Sequence, residues 1–401
     1  MAKKKSKQKD SKRKNDATPV RPAPQEPAAV WKQEKAVPAH GRRWYMCLAV
    51  FLAVAVGLLA IFSVAFAEYG WTQVNGTGHC ASAISVLPTV GTDPGDGLIV
   101  RRLDGVQVVP DQANFWPYAV MIENLLSVRP QSGLSQAAVV YETLAEGGST
   151  RFMAVYDPSE KIPELMPVRS ARPYYLEWLS EYGALYAHAG GSPKALTVIR
   201  ENPDINNLDA LSSNGKYFWR DTTKYAPHNL VTSSDKMNFA LRDLGLADKA
   251  ADFRSWLFKD EAPLADRGED GKSVEFNFSY GTTYLVRYRY DQATNDYKRF
   301  NANVPHEDKN TGDQIAVKNV VVQLVQEPGY DPSGKGRLDI YVGGTGKAWI
   351  FRDGLIIEGI WQKNSRTDRT IFYDANGTEA EFNRGNTWVH VVPEDQAVTY
   401  Q

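Results

Sequence analysis

Cysteine is nearly absent from this chain: 401 residues hold two, Cys47 and Cys80. Cys47 lies inside an apolar run and Cys80 beyond it, which excludes a disulfide framework. The fold must rest on its own core, which a chain this long can bury. Motifs with metal-ligand spacing are also missing. There is no His-Glu-x-x-His, no Cys-x-x-Cys and no EF-hand loop, so no metal site is indicated. No Walker loop or dinucleotide fingerprint follows a strand, so no cofactor is expected. Gly343-Gly344-Thr345-Gly346-Lys347 is phosphate-like in composition, but it lacks the required spacing and the following helix. A β-turn is the better reading. Net positive charge is confined to the first 43 residues. Those carry thirteen Lys/Arg against four Asp/Glu, or +9, and the whole chain carries −1, so the remainder is −10. A mildly acidic body argues against nucleic acid as a partner, because such binding needs a basic face to displace counterions.

Residues 1–43 form a basic tail whose lysines repel one another and whose prolines at 19, 22, 24 and 27 block regular structure. Such a segment buries too little apolar surface to offset its ordering entropy, and it is expected to be disordered and cytoplasmic. The one long apolar run is Trp44 to Ala67, 24 residues without a charge. At 1.5 Å per residue it reaches about 36 Å, enough to cross a hydrocarbon core of about 30 Å. Arg42 and Arg43 precede it and no Lys or Arg follows until Arg101. The positive-inside rule then keeps the N-terminus cytoplasmic and exports the body. Ala65-Phe66-Ala67 leaves a second reading open, a cleaved signal peptide, which also exports the body. A lipid-anchored cysteine is excluded by position, since Cys47 begins the apolar run. Residues 68–95, rich in Gly and Pro, read as a linker.

Residues 96–262 read as a mixed α/β domain. Phe115–Ile122, Ala138–Ala145 and Arg151–Tyr156 have strand composition, and Glu146-Gly147-Gly148-Ser149-Thr150 suits a hairpin turn. Ser170 is placed to cap a helix with Pro173 in its first turn, and Ala184–Ala187 is a short strand. Ser192 caps a second helix with Pro193 at its first position, and a third runs from Ser234 to Leu244 with Gly245 as its stop. Residues 272–400 have period two and no helical pattern, with turns at Asp353-Gly354, Asn376-Gly377 and Gly385-Asn386. They read as a mostly antiparallel β domain. The fold class is therefore α+β, preceded by one transmembrane helix.

Three polar segments carry the candidate chemistry. Pro167 to Pro173 places Arg169, Ser170 and Arg172 at a helix start. Tyr186 to Pro193 carries His188, Gly190, Gly191 and Ser192 through a strand-to-helix turn. Phe218 to Asn229 carries Arg220, Asp221, His228 and Asn229. Glycines allow close backbone approach, a helix start favours an anion, and arginines pair bidentately with carboxylate or phosphate. The same residues equally serve structure, with tight turns, loop-bridging arginines and histidines that pin loops. Serine, histidine and Asp221 could also be drawn as a hydrolytic set, although no Gly-x-Ser-x-Gly elbow is present. Glu123, Glu142 and Glu146 could act as paired carboxylates or form ion pairs with Arg151 or Arg169.

Arg129-Pro130-Gln131-Ser132-Gly133-Leu134-Ser135-Gln136-Ala137, Tyr141-Glu142 and Glu146-Gly147-Gly148 resemble the YerB-like family of bacterial envelope proteins. So do Pro167 to Pro173, His188 to Ser192, Trp219-Arg220-Asp221, Ala226 to Asn229, Gly346 to Trp361 and Gly385 to Pro393. The likeness covers roughly residues 95–395. It implies two domains of unknown function in an exported, often lipid-anchored protein. It carries no catalytic residues, and this chain departs from it in using an apolar span in place of a lipobox.

The expectation is a membrane-tethered envelope protein that binds an anionic or polar ligand or a protein partner at Arg169, Arg172, His188, Gly190, Gly191, Ser192, Arg220 and His228. An envelope hydrolase acting on glycan or peptide, with His188 or His228 as base, is one alternative. A purely structural role, with a sheet edge offered to a partner, is the other.

Overall fold

The computed structural model describes residues 97–401, so the tail, the apolar span and the linker lie outside the described residues. Among the described residues no helix is long and apolar enough to cross a membrane. Five strands of the first half belong to the main sheet: β1 (Tyr118–Glu123), β2 (Val139–Leu144), β3 (Thr150–Tyr156), β4 (Leu185–His188) and β5 (Asn207–Asp209). Three helices accompany them, α1 (Pro173–Ser180), α2 (Pro193–Glu201) and α3 (Ser234–Asp243). The main elements of the second half are strands: β6 (Ser273–Asn277), β7 (Leu285–Asp291), β8 (Asp296–Asn301), β9 (Asn319–Val325), β10 (Gly344–Arg352), β11 (Leu355–Lys363), β12 (Ile371–Asp374), β13 (Thr387–Pro393) and β14 (Val398–Tyr400). The fold is largely β.

One ten-stranded sheet runs β12-β11-β10-β9-β13-β2-β3-β1-β4-β5. Its centre joins the two halves of the sequence. β13 lies parallel to β9 on one side and parallel to β2 on the other, with Thr387 to Val391 opposite Val139 to Thr143. The smaller sheet, β8-β7-β6-β14 with the short pieces Val304–Pro305 and Ala316–Val317, is antiparallel.

Every residue of β1, β2, β3 and β13 is buried, the signature of strands covered on both faces. Successive side chains divide between the two covers. Tyr141 stacks on Trp178 of α1, centroids 5.1 Å apart, whereas its neighbour Glu142 meets Arg299 of β8. The small sheet alternates cleanly, with Val286, Tyr288 and Tyr290 of β7 turned inward.

Glycine is required where strands crowd. A Cβ on Gly359 of β11 would stand 1.8 Å from the Tyr373 carbonyl oxygen. Gly359→Ala is expected to cost about 2–3 kcal/mol, read as a lower denaturation midpoint, because β11 and β12 must part. An unchanged midpoint would show that the edge strand yields freely.

The sequence reading needs correction at four places. The α1 N-cap is Arg172, since Pro173 occupies the first position, and the Ser170 hydroxyl instead donates to the Ala189 carbonyl at 2.8 Å. Gly344 to Lys347 is strand, not turn, because it continues the β10–β11 hairpin past Ala348. Within the period-two stretch 272–400, Leu338 to Val342 alternates like a strand, but only Leu338–Asp339 forms one. β8 was hidden because its inward residues are Tyr297, Arg299 and Asn301, only one of them apolar.

Candidate functional site

The three polar segments come together. Residues 165–171 cross the end of β1, with Arg169 N–H donating to Met121 O at 2.9 Å and Glu123 N–H to Pro167 O at 3.0 Å. On one side Val168 N–H donates to Leu230 O at 2.8 Å. On the other, Ala171 N–H donates to Gly190 O at 2.9 Å and Ser192 N–H to Ala171 O at 3.2 Å. The 167–173 segment is thus laid between the 228–232 and 188–192 segments by main-chain hydrogen bonds.

Around it the arginines meet carboxylates. Glu123, at the end of β1, takes Arg169 Nε at 2.9 Å and His228 Nδ1 at 2.7 Å. Glu146 takes Arg151 at 3.0 Å and also Arg172. Arg151 reaches the Ser170 carbonyl at 3.1 Å, which links the two carboxylates into one cluster. Burial lowers the Arg169 and Arg172 pKa values. The nearby Arg151 charge lowers them further, against Glu123 and Glu146. Arg129, bonded to the residue after Glu123, has only neutral acceptors: Asn124 Oδ1 at 2.9 Å, Asn124 O at 3.1 Å and Thr283 O at 3.0 Å. Burial and the Arg299 charge bring its pKa down to about 10. Of the three acids, Glu123 and Glu146 therefore take the ion-pair alternative.

The other candidates are engaged locally. His188 is fully buried, with Nδ1 2.8 Å from Gly190 O and Nε2 2.6 Å from Asn207 Oδ1. Gly190 has φ +62 and its N–H donates to Asp209 at 2.7 Å, while Gly191 packs against Leu196 and Ala171. Ser192 is the α2 N-cap and accepts from Ala195 N–H. Arg220 donates to Asn229 at 2.7 Å, Asn229 ties the carbonyls of Asp221 and Lys224, and Asp221 caps Thr223. Neither His188 nor His228 bonds to Ser170, Ser192 or Asp221. Among the described residues no group of three His, Cys, Asp or Glu side chains is placed to hold a metal ion.

Sequence reasoning named Glu142 as a candidate carboxylate but missed its partners, which surround it in a fully buried polar cluster. Glu142 Oε2 lies 2.6 Å from Arg299 Nη2 and 3.1 Å from His390 Nδ1, all fully buried. Tyr288 OH sits 2.9 Å from His390 Nε2 and accepts from Arg299 Nε at 3.1 Å. Arg299 also bonds His306 Nδ1, and His306 Nε2 lies 2.8 Å from Gln131 Oε1. Asn124 and Thr150 bond the second Glu142 oxygen. Trp388 lies under the Arg299 guanidinium at 4.9 Å. Burial raises the Glu142 pKa, but Arg299 and the His390 and Thr150 bonds outweigh it and hold the group at about 2.

Residues 103–247 match the family described as Protein of unknown function (DUF3048) N-terminal domain, and residues 274–389 match its C-terminal domain. YerB of Bacillus subtilis (strain 168), whose name designates it a candidate lipoprotein, is 33% identical over 293 residues, 71% of this chain and 83% of YerB. The crystal structure of the Bacillus subtilis YerB protein is similar with a TM-score of 0.65 at 29% identity, over 74% of this chain and 98% of that one. The chain therefore belongs to the YerB-like family, in which two domains of unknown function follow one another.

Proposed function

We propose that this is an exported, membrane-tethered envelope protein that binds an anionic ligand at the arginine cluster beside the end of β1. One observation carries the reading: Arg151, Arg169 and Arg172 gather there against two carboxylates, Glu123 and Glu146, with Arg129 held on Asn124, the residue after Glu123. The surplus of guanidinium charge in a half-buried, low-dielectric setting favours an anion, and guanidinium forks suit carboxylate or phosphate. Arg169 and His228 form the solvent-facing rim, with His228 about one-third exposed. Export and tethering are supported by the uncharged run at 44–67 behind a basic tail, and by the lipoprotein designation of the relative YerB.

Titration calorimetry with inorganic phosphate and with polyphosphate tests the site. Arg169→Ala combined with Arg129→Ala is expected to weaken binding at least tenfold, in line with the loss of about 1.5–3 kcal/mol for a charged hydrogen bond. Arg169→Lys should recover part of it. Equal affinity of the wild type and the double variant would overturn the reading.

A further inference from the structure

The Gly343-Gly344-Thr345-Gly346-Lys347 run has a property of its own: it is the place where the large sheet splits. β10 and β11 stay paired from Arg352↔Leu355 to Gly344↔Lys363. β9 and β10 are paired only as far as Gln323↔Ala348. The cause is local. The Leu324 carbonyl, instead of continuing the ladder, accepts the Trp361 indole N–H at 2.7 Å. Gly346 permits this, since a Cβ there would come 2.8 Å from Leu324 O and 2.6 Å from Trp361 Nε1. The Thr345 hydroxyl donates to Trp361 O at 2.7 Å and holds the start of β10 on β11.

A half-paired strand remains. In an antiparallel ladder successive residues turn their main-chain groups to alternate sides. The two-residue Asp353-Gly354 turn makes Arg352 and Leu355 a hydrogen-bonded pair, so Ala348, Gly346 and Gly344 also bond β11. The N–H and C=O of Thr345 therefore point away from β11, into the fork left by β9. Gly344, Thr345 and Lys347 are exposed there. The fork opens on a cavity of about 410 Å³ lined by Leu324 to Gln326, Tyr341, the 343–347 run, Trp361 and Glu394. Lys347 and Glu394 stand on its rim, and neither has an ion-pair partner among the described residues. Tyr341 is 69% exposed beside them.

We propose that this fork is a docking site for an extended peptide, which adds as a strand along Gly344–Lys347. The main chain of the peptide bonds Thr345. A carboxylate of the peptide meets Lys347, a basic side chain meets Glu394, and an apolar side chain packs on Tyr341. Main-chain bonding supplies affinity, and the two opposite charges with the aromatic ring select a mixed-charge segment. This site is distinct from the arginine cluster, and either can fail without the other.

The test is selection from a displayed random heptapeptide library on the full chain in lipid nanodiscs, run in parallel on Thr345→Pro and Thr345→Ala. Both variants lose the hydroxyl. Only the proline removes the free N–H, and it leaves the β10–β11 bonds intact because that N–H does not take part in them. Peptides carrying both an acidic and a basic residue should be enriched on the wild type and on Thr345→Ala, and lost on Thr345→Pro by at least tenfold. An enriched peptide should also slow hydrogen exchange of the wild-type Thr345 amide. Should Thr345→Pro fail to fold, that exchange measurement decides alone. Equal enrichment on both variants, no enrichment on the wild type, or unchanged Thr345 exchange would overturn the proposal.

Discussion

Residues 97–262 expressed alone are expected to show no cooperative unfolding. β2 sits in the middle of the large sheet only because β13, from the far end of the chain, bonds it from Thr387 to Val391, reinforced by the Thr143 hydroxyl on Val391 O at 2.7 Å. Removing β13 turns β2, a strand buried along its whole length in the full chain, into an unpaired edge open to association with other chains. The fragment also loses Arg299 and thereby leaves the Glu142 carboxylate buried without its charge partner. The reciprocal fragment keeps Arg299 at the centre of an apolar layer without Glu142. Urea titration followed by near-ultraviolet circular dichroism compares each fragment with the full chain. A sharp transition with native-like aromatic signal in either half would show that the covering layers alone suffice.

Glu142→Gln is expected to destabilise the body by about 3–5 kcal/mol, since it keeps the side-chain shape but leaves the fully buried Arg299 charge uncompensated. Glu142→Met with Arg299→Met should recover most of that loss, because an apolar pair of similar volume needs no desolvated charge. Denaturation midpoints of the wild type, Glu142→Met, Arg299→Met and the double variant form the cycle. A loss below about 1 kcal/mol for Glu142→Gln would mean that Arg299 finds compensation elsewhere. The same cluster makes stability fall with acid. Burial, and for His306 the Arg299 charge, push the pKa values of His306 and His390 below 6.5. Below pH 6.5 the unfolded chain therefore takes up protons that the folded one refuses. Glu142 is held at about 2 in the fold against 4.5 when unfolded, so its contribution is complete above pH 4.5 and disappears by about pH 2. Glu142→Gln should flatten the lower part of that profile and leave the part near pH 6 sloping.

The local devices were legible because each is written in neighbouring residues. Ser192-Pro193 starts a helix, Asp353-Gly354 closes a hairpin with both residues at positive φ, and Gly245 stops α3. The candidate arginines were visible as residue types, yet their partners were not. Glu123 and His228 lie 105 positions apart and meet only because 165–171 is laid across the end of β1.

By itself the sequence determined the strand-rich composition, the hairpins, the helix starts, the uncharged run ahead of the body and the membership of three polar segments in one family pattern. These follow from propensity, turn stereochemistry and hydrophobic period, all properties of adjacent residues. Tertiary structure alone decided that β13 enters between β9 and β2, that Arg299 turns inward to Glu142, and that β9 leaves β10 at Gly346. Each depends on which distant group satisfies a buried main-chain or charged group, and the energy of that choice resides in contacts between residues far apart in the chain.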